Sequence, residues 1–113
     1  MNILQKLGRK VVAEGLRERV IEALRQIHDP EIPINIYDLG LIYGLDIDDM
    51  GKVVIRMTLT APACPVAESF PPQVEAAVEA VFGVSRAHVV LVWEPPWNKS
   101  RLSEAARLQL GLV

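Results

Sequence analysis

From Lys52 to Thr60 the chain alternates, with Val53, Ile55, Met57 and Leu59 on one side and Val54, Arg56, Thr58 and Thr60 on the other. A period of two sustained in this way marks a half-buried strand, whose apolar side must be covered by another layer. Leu41 to Ile47 reads as a preceding strand. Asp48-Asp49-Met50-Gly51 between them is good turn chemistry, so the two are expected to form an antiparallel hairpin.

The covering layer is written in helical spacing. Leu16, Val20, Ile21, Leu24 and Ile27 fall on one side of a first helix, opposite Arg17, Glu18, Glu22 and Arg25. Asp29-Pro30 is expected to end it, because a residue before proline is pushed out of the helical region. A second helix is expected from Cys64-Pro65, with Pro65 suited to its first turn. Pro71-Pro72 should kink or restart that helix, since neither proline has a backbone donor. Beyond them Val74, Ala77, Val78 and Val81 share a side, and Gly83 is the stop. Ala87 to Trp93 reads as a third strand, and Leu102 to Leu110 as a short last helix with Gly111 as its C-terminal stop.

The order is α-β-β-α-β-α. The link from the second strand to the third is long enough for a crossover, so that pair is expected to be parallel. The fold class that follows is α/β (α+β): a two-layer sandwich with a small three-stranded mixed sheet and the helices packed on one face. Residues 1–12 lack a strong cap and read as an N-terminal arm, and 13–113 as one domain, since 113 residues suit a single core.

Bulk properties narrow the function. Net charge is −2, with no basic surplus of the kind that phosphate neutralisation requires, so nucleic acid is not an expected partner. Arg17, Arg19 and Arg25 read as a solvated helix face. No apolar run approaches the roughly 18–20 residues that cross a bilayer, and no apolar leader follows the N-terminal basic residues. A cytoplasmic protein without a membrane is expected. The single cysteine fits that setting, and it rules out both a disulfide framework and a site built from several cysteines of one chain.

That cysteine is the sharpest chemical feature. Cys64 follows a strand end and opens a helix in Thr60-x-Pro62-x-Cys64-Pro65. Unpaired N–H groups and the helix dipole favour negative charge there, so a thiol so placed should ionise more readily, as a nucleophile or soft-metal ligand must. The plainer reading, a small buried core residue, is about as good on physics alone. Asp29, Glu31 and Asp38 form an acidic trio around the loop after the first helix; they could orient a metal, or more simply accept from loop backbone donors. His28 reads as a helix-end residue and His88 as a strand side chain, without ligand spacing. Trp93 and Trp97 bracket Glu94-Pro95-Pro96, and read as a lid packing the last helix onto the sheet before they read as a recognition platform. No Ser-His-Asp set, phosphate-cradling glycine loop or zinc motif is present, so a self-sufficient enzyme is not expected.

Taken together, Asp29-Pro30-Glu31, Asn35-Ile36-Tyr37-Asp38-Leu39-Gly40-Leu41-Ile42-Tyr43, Thr58-Leu59-Thr60 and Cys64-Pro65 resemble the SufT/PaaD-like family of metal–sulfur cluster biosynthetic proteins. The match runs in order from about Val20 to Gly111, and Pro95-Pro96-Trp97 and Ser103-Glu104-Ala105-Ala106-Arg107 look like the ending of its short bacterial members. The resemblance implies an iron–sulfur cluster assembly domain-like fold and an auxiliary role in delivering clusters to client proteins. It implies Cys64 as the metal or cluster ligand, with Thr60, Asp29, Glu31 and Asp38 on a shared surface near it. A labile iron–sulfur cluster or iron would be the cargo; assembly proteins and apo clients would be the partners. A single cysteine cannot supply the four thiolates of ordinary clusters, so a homodimer, a small thiol or a client would have to complete the set. PaaD proteins, which support a ring-oxidising enzyme of phenylacetate breakdown, carry an extra cysteine-rich C-terminal segment that is not seen here, which places the SufT-like role first. Two rivals remain: an adaptor that holds no metal, and a thiol enzyme that would need His28 or His88 as its base.

Overall fold

Leu16, Val20 and Leu24 are the residues that the first helix, α1, turns inward over residues 15–24. The computed structural model describes residues 15–29, 32–60 and 64–111, and of residues 64–66 the backbone only; the expected N-terminal arm, residues 1–12, lies outside these. After α1 come β1 (Ile42–Ile47), β2 (Lys52–Met57), α2 (Cys64–Glu79), β3 (Arg86–Leu91), a 3-10 turn (Lys99–Arg101) and α3 (Glu104–Gln109). The sheet order is β1-β2-β3. β1 pairs antiparallel with β2, with an irregularity between Ile42 and Gly44, and β2 pairs parallel with β3 in the register Ile55↔Val89. The mixed sheet, its crossover helix and the element order are those the sequence predicts.

The hairpin turn works through Asp48, whose Oδ1 accepts from the N–H groups of Met50 and Lys52 at 2.9 Å each. Gly51 then takes φ +80°, a conformation open to glycine at little cost. On the inner face Val53, Ile55 and Met57 meet Val20 and Leu24 of α1, and Val74 and Val78 of α2, in one core. All of these are fully shielded from solvent. On the outer face Val54 is half-buried and Arg56 exposed, as alternation requires.

Three expectations need correction. α1 ends at residue 24, not at Asp29-Pro30. The chain leaves the helix through tighter bonds, Gln26 N to Ala23 O and Ile27 N to Leu24 O. It then extends, and His28 bridges Asn35 rather than sitting at a helix end. Ile36 N donates to Ile27 O at 2.9 Å and Asp29 N to Ile34 O at 3.1 Å, so pairing across the loop takes these residues away from the helix. Secondly, Pro71 and Pro72 do not restart the helix, since both lie inside one continuous α2. The carbonyls they leave without a donor, four residues back, belong to half-buried Ala67 and exposed Glu68, where water can serve them. Thirdly, Thr58 does not share the wet outer side with Arg56; it is 1% exposed.

Candidate functional site

The parallel pair β2–β3 and the antiparallel β1 bring four segments to one end of the sheet: the loop leading into β1, the exit of β2, the start of α2 and the exit of β3. Thr58 N donates to Leu41 O at 2.9 Å, and Val92 N to Met57 O at 2.8 Å, so the three strands stay knitted to this end. Cys64 is the first residue of α2, a helix of 16 residues. Thr60 is half-buried in the bend just before it.

The loop is organised around Asn35. Its Nδ2 donates to Asp38 Oδ2 at 2.9 Å, and its Oδ1 accepts from Asp38 N at 2.8 Å. Asp38 also faces Arg25 at 4.0 Å, and the Arg25 guanidinium lies 4.9 Å from the Tyr37 ring centroid. Asp29, 7% exposed, accepts from Ile32 N at 2.8 Å. Thus Asp29 and Asp38 belong to one braced loop, and Asp29 serves a backbone donor in the way aspartates beside turns do. Glu31 lies outside the described residues. His88 is an exposed strand side chain, as expected.

Residues 92–103 run from the β3 edge across to this loop and fasten it. Tyr43 Oη donates to Pro95 O at 2.7 Å and Trp97 Nε1 to Leu39 O at 2.7 Å. Ser103 N donates to Asp38 O at 2.8 Å, and the Arg101 guanidinium stacks 4.4 Å from the Tyr43 ring centroid. Trp97 is thus half-buried against the core and bonded to the loop, while Trp93 remains 40% exposed. Tyr43, Arg101 and Asn35 carry no separate motif. Asn35 and Tyr43 belong to the 35–43 stretch that carries the family resemblance, but nothing in it marks the bonds they make.

One buried group is anomalous. Among the described residues, Thr58 Oγ1 is the one shielded side-chain oxygen or nitrogen without a hydrogen-bond partner. Leaving a hydroxyl so costs roughly 1–3 kcal/mol. Thr58→Val, which keeps the shape and removes the hydroxyl, is expected to raise stability by about 1 kcal/mol in urea unfolding. A fall of that size would mean that the hydroxyl has a partner in solution.

The profile of the family described as "Iron-sulfur cluster assembly protein" matches residues 17–89, from α1 to β3. This chain belongs to the iron–sulfur cluster assembly protein family. A relative from Porphyromonas gingivalis, named an Fe-S protein maturation auxiliary factor, is 48% identical over 96 residues, which are 85% of this chain and 91% of that one. The Staphylococcus aureus Fe-S protein maturation auxiliary factor SufT is 37% identical over 84 residues, 74% of this chain and 96% of that one. Among solved structures, a domain of unknown function, DUF59, from Bacillus anthracis superposes with a TM-score of 0.78 at 34% identity, covering 88% of this chain and 95% of that one. For this member of the iron–sulfur cluster assembly family, the matched span holds Asp29, Asp38, Thr60 and Cys64 together. Residues 92–103, the strap that fastens the loop, fall outside it. No helix among the described residues is long and apolar enough to cross a membrane.

Proposed function

We propose that this chain is an auxiliary factor of iron–sulfur protein maturation that presents Cys64 as a thiolate and carries a cluster, or iron for one, as transient cargo to apo client proteins. The observation that carries the reading is the position of Cys64 as the first residue of α2, the helix that follows the central strand β2 and crosses over to the parallel strand β3. A helix start stabilises negative charge, which favours thiolate over thiol and so suits binding of a soft metal. The names of the Porphyromonas and Staphylococcus relatives support the same role, and their alignments span most of both chains. Thr60, Asp29, Asp38 and Glu31 are assigned to the surface that surrounds the cargo. The braced loop holds Asp38 in place, with Arg25 beside it, which supports a positional role for that carboxylate.

With one cysteine per chain, the remaining ligands come from a second copy, a small thiol or the client. Such binding is labile, which suits a carrier that works in the cytoplasm with assembly proteins and clients and performs no catalysis of its own. The second reading is an adaptor that docks partners without holding metal; exposed Trp93, beside a well-fastened strap, favours it.

Anaerobic reconstitution with ferrous iron and sulfide distinguishes the two. Wild type should take up iron and sulfide with visible absorption, and Cys64→Ser should take up neither while keeping the wild-type fold. If both proteins stay empty under conditions that load an established scaffold, the carrier reading fails and the adaptor reading stands.

A further inference from the structure

β3 lies at the edge of the sheet. In a parallel ladder alternate residues of such a strand turn their N–H and C=O groups outward, and an edge left in that state is a template for another strand. On β3 two of these outward donors, on Ala87 and Val89, are occupied. Ala87 N donates to Glu79 Oε2 at 3.2 Å and Val89 N to Glu75 Oε2 at 2.8 Å. Both carboxylates come from α2.

The match is one of repeat lengths. Four residues of helix rise about 6 Å, and two residues of strand about 6.6 Å. Carboxylates one turn apart on a helix running antiparallel to the strand therefore meet successive outward N–H groups. His88 Nδ1, 3.4 Å from Glu75 Oε2, braces the first of them. On the β1 side of the sheet the polarity is reversed: Arg17 Nη2 donates to Leu45 O at 2.9 Å. Anions sit on donors at one edge and a cation on an acceptor at the other.

We infer that Glu75 and Glu79 are plugs that keep the β3 edge from pairing with β3 of a second copy of this chain. A second copy is the occupant kept off because an edge strand is complementary to itself. Two β3 strands related by a twofold axis run antiparallel and satisfy each other's outward groups. The strand itself, Arg86-Ala87-His88-Val89-Val90-Leu91, holds no proline, glycine or acidic residue to discourage pairing, and Val90 is 38% exposed on its open face. What closes the edge is borrowed from the helix.

The test is the double variant Glu75→Ala/Glu79→Ala, followed by light scattering on a sizing column. It should show about twice the mass of wild type at equal concentration, with the Ala87 and Val89 amides protected from exchange in the associated form. Glu75→Gln/Glu79→Gln, which keeps an acceptor oxygen at each position, should keep the wild-type mass. A folded alanine variant of wild-type mass overturns the inference, and so does association that leaves those two amides exchanging freely. If the alanine variant does not fold, wild type decides: its Ala87 and Val89 amides should exchange roughly tenfold or more slowly than unstructured ones. Exchange at the unstructured rate overturns the inference.

Discussion

Gly40→Ala should cost about 3 kcal/mol and loosen the strap, although it adds a single methyl group. Gly40 has φ +81°, where a side chain alone costs roughly 1–2 kcal/mol. A Cβ there would also lie inside contact distance of the Arg101 backbone carbonyl oxygen. Backbone cannot swing aside as a side-chain tip can, so either the loop or the strap must move. Movement of the strap strains the Trp97–Leu39 and Ser103–Asp38 bonds beside it. Gly111 supplies the control: its φ is +72°, but nothing among the described residues lies within 4 Å of an added Cβ. Gly111→Ala should cost only about 1 kcal/mol, the conformational part. Urea midpoints of the two variants, with Trp97 emission followed in a Trp93→Phe background, make the comparison. Equal costs at the two glycines would show that the strap imposes nothing on the loop.

Ile55→Ala should cost about 3–4 kcal/mol, in the upper range for a large aliphatic cut to alanine. Ile55 sits in the middle of the central strand, opposite Leu45 on one side and Val89 on the other, and it is fully shielded. Helices α1 and α2 and both neighbouring strands hold the walls of the resulting hole apart, so it cannot close. Val54→Ala, one residue away on the half-buried outer face, should cost about 1 kcal/mol or less. A domain of this size has about 5–15 kcal/mol of stability in total, so the first change leaves it marginal and the second does not. The urea midpoint should fall for Ile55→Ala with an unchanged slope. Equal midpoints for the two variants would contradict the assignment of the inner face.

The hairpin, the mixed sheet and the crossover were legible because their signals are local. Alternation from Lys52 onward, the Asp48–Gly51 turn and the length of chain between β2 and β3 each point to one arrangement. The end of α1 was not legible, because the helical spacing continues to Ile27 while cross-loop bonds to residues 34–36 override it. The Pro71-Pro72 pair left two outcomes open, a kink or a restart, and the helix continues through it; the carbonyls left without a donor belong to half-buried Ala67 and exposed Glu68. Thr58 looked wet from its place in the alternation, yet burial depends on what lies across the sheet end, which periodicity does not encode. At the candidate site the sequence pointed to Cys64 at a strand-to-helix junction, and the backbone places it there. It did not show the bonding roles of Asn35, Tyr43 and Arg101, which arise from neighbours more than fifty residues away or from a turn bond within the loop.

The fasteners of the strap join residues 52 and 58 positions apart, Tyr43 to Pro95 and Leu39 to Trp97. Closing loops of that length carries an entropic cost that short-range bonds escape, and contacts so distant form late in folding. During translation the Asp38 loop and Cys64 also leave the ribosome before the segment that clasps the loop has been made. A nascent chain therefore passes through a stage in which the hairpin can form while the loop beside the Cys64 junction is still unclasped. Synthesis runs in one direction, and the fastening of this end of the molecule waits for its later residues.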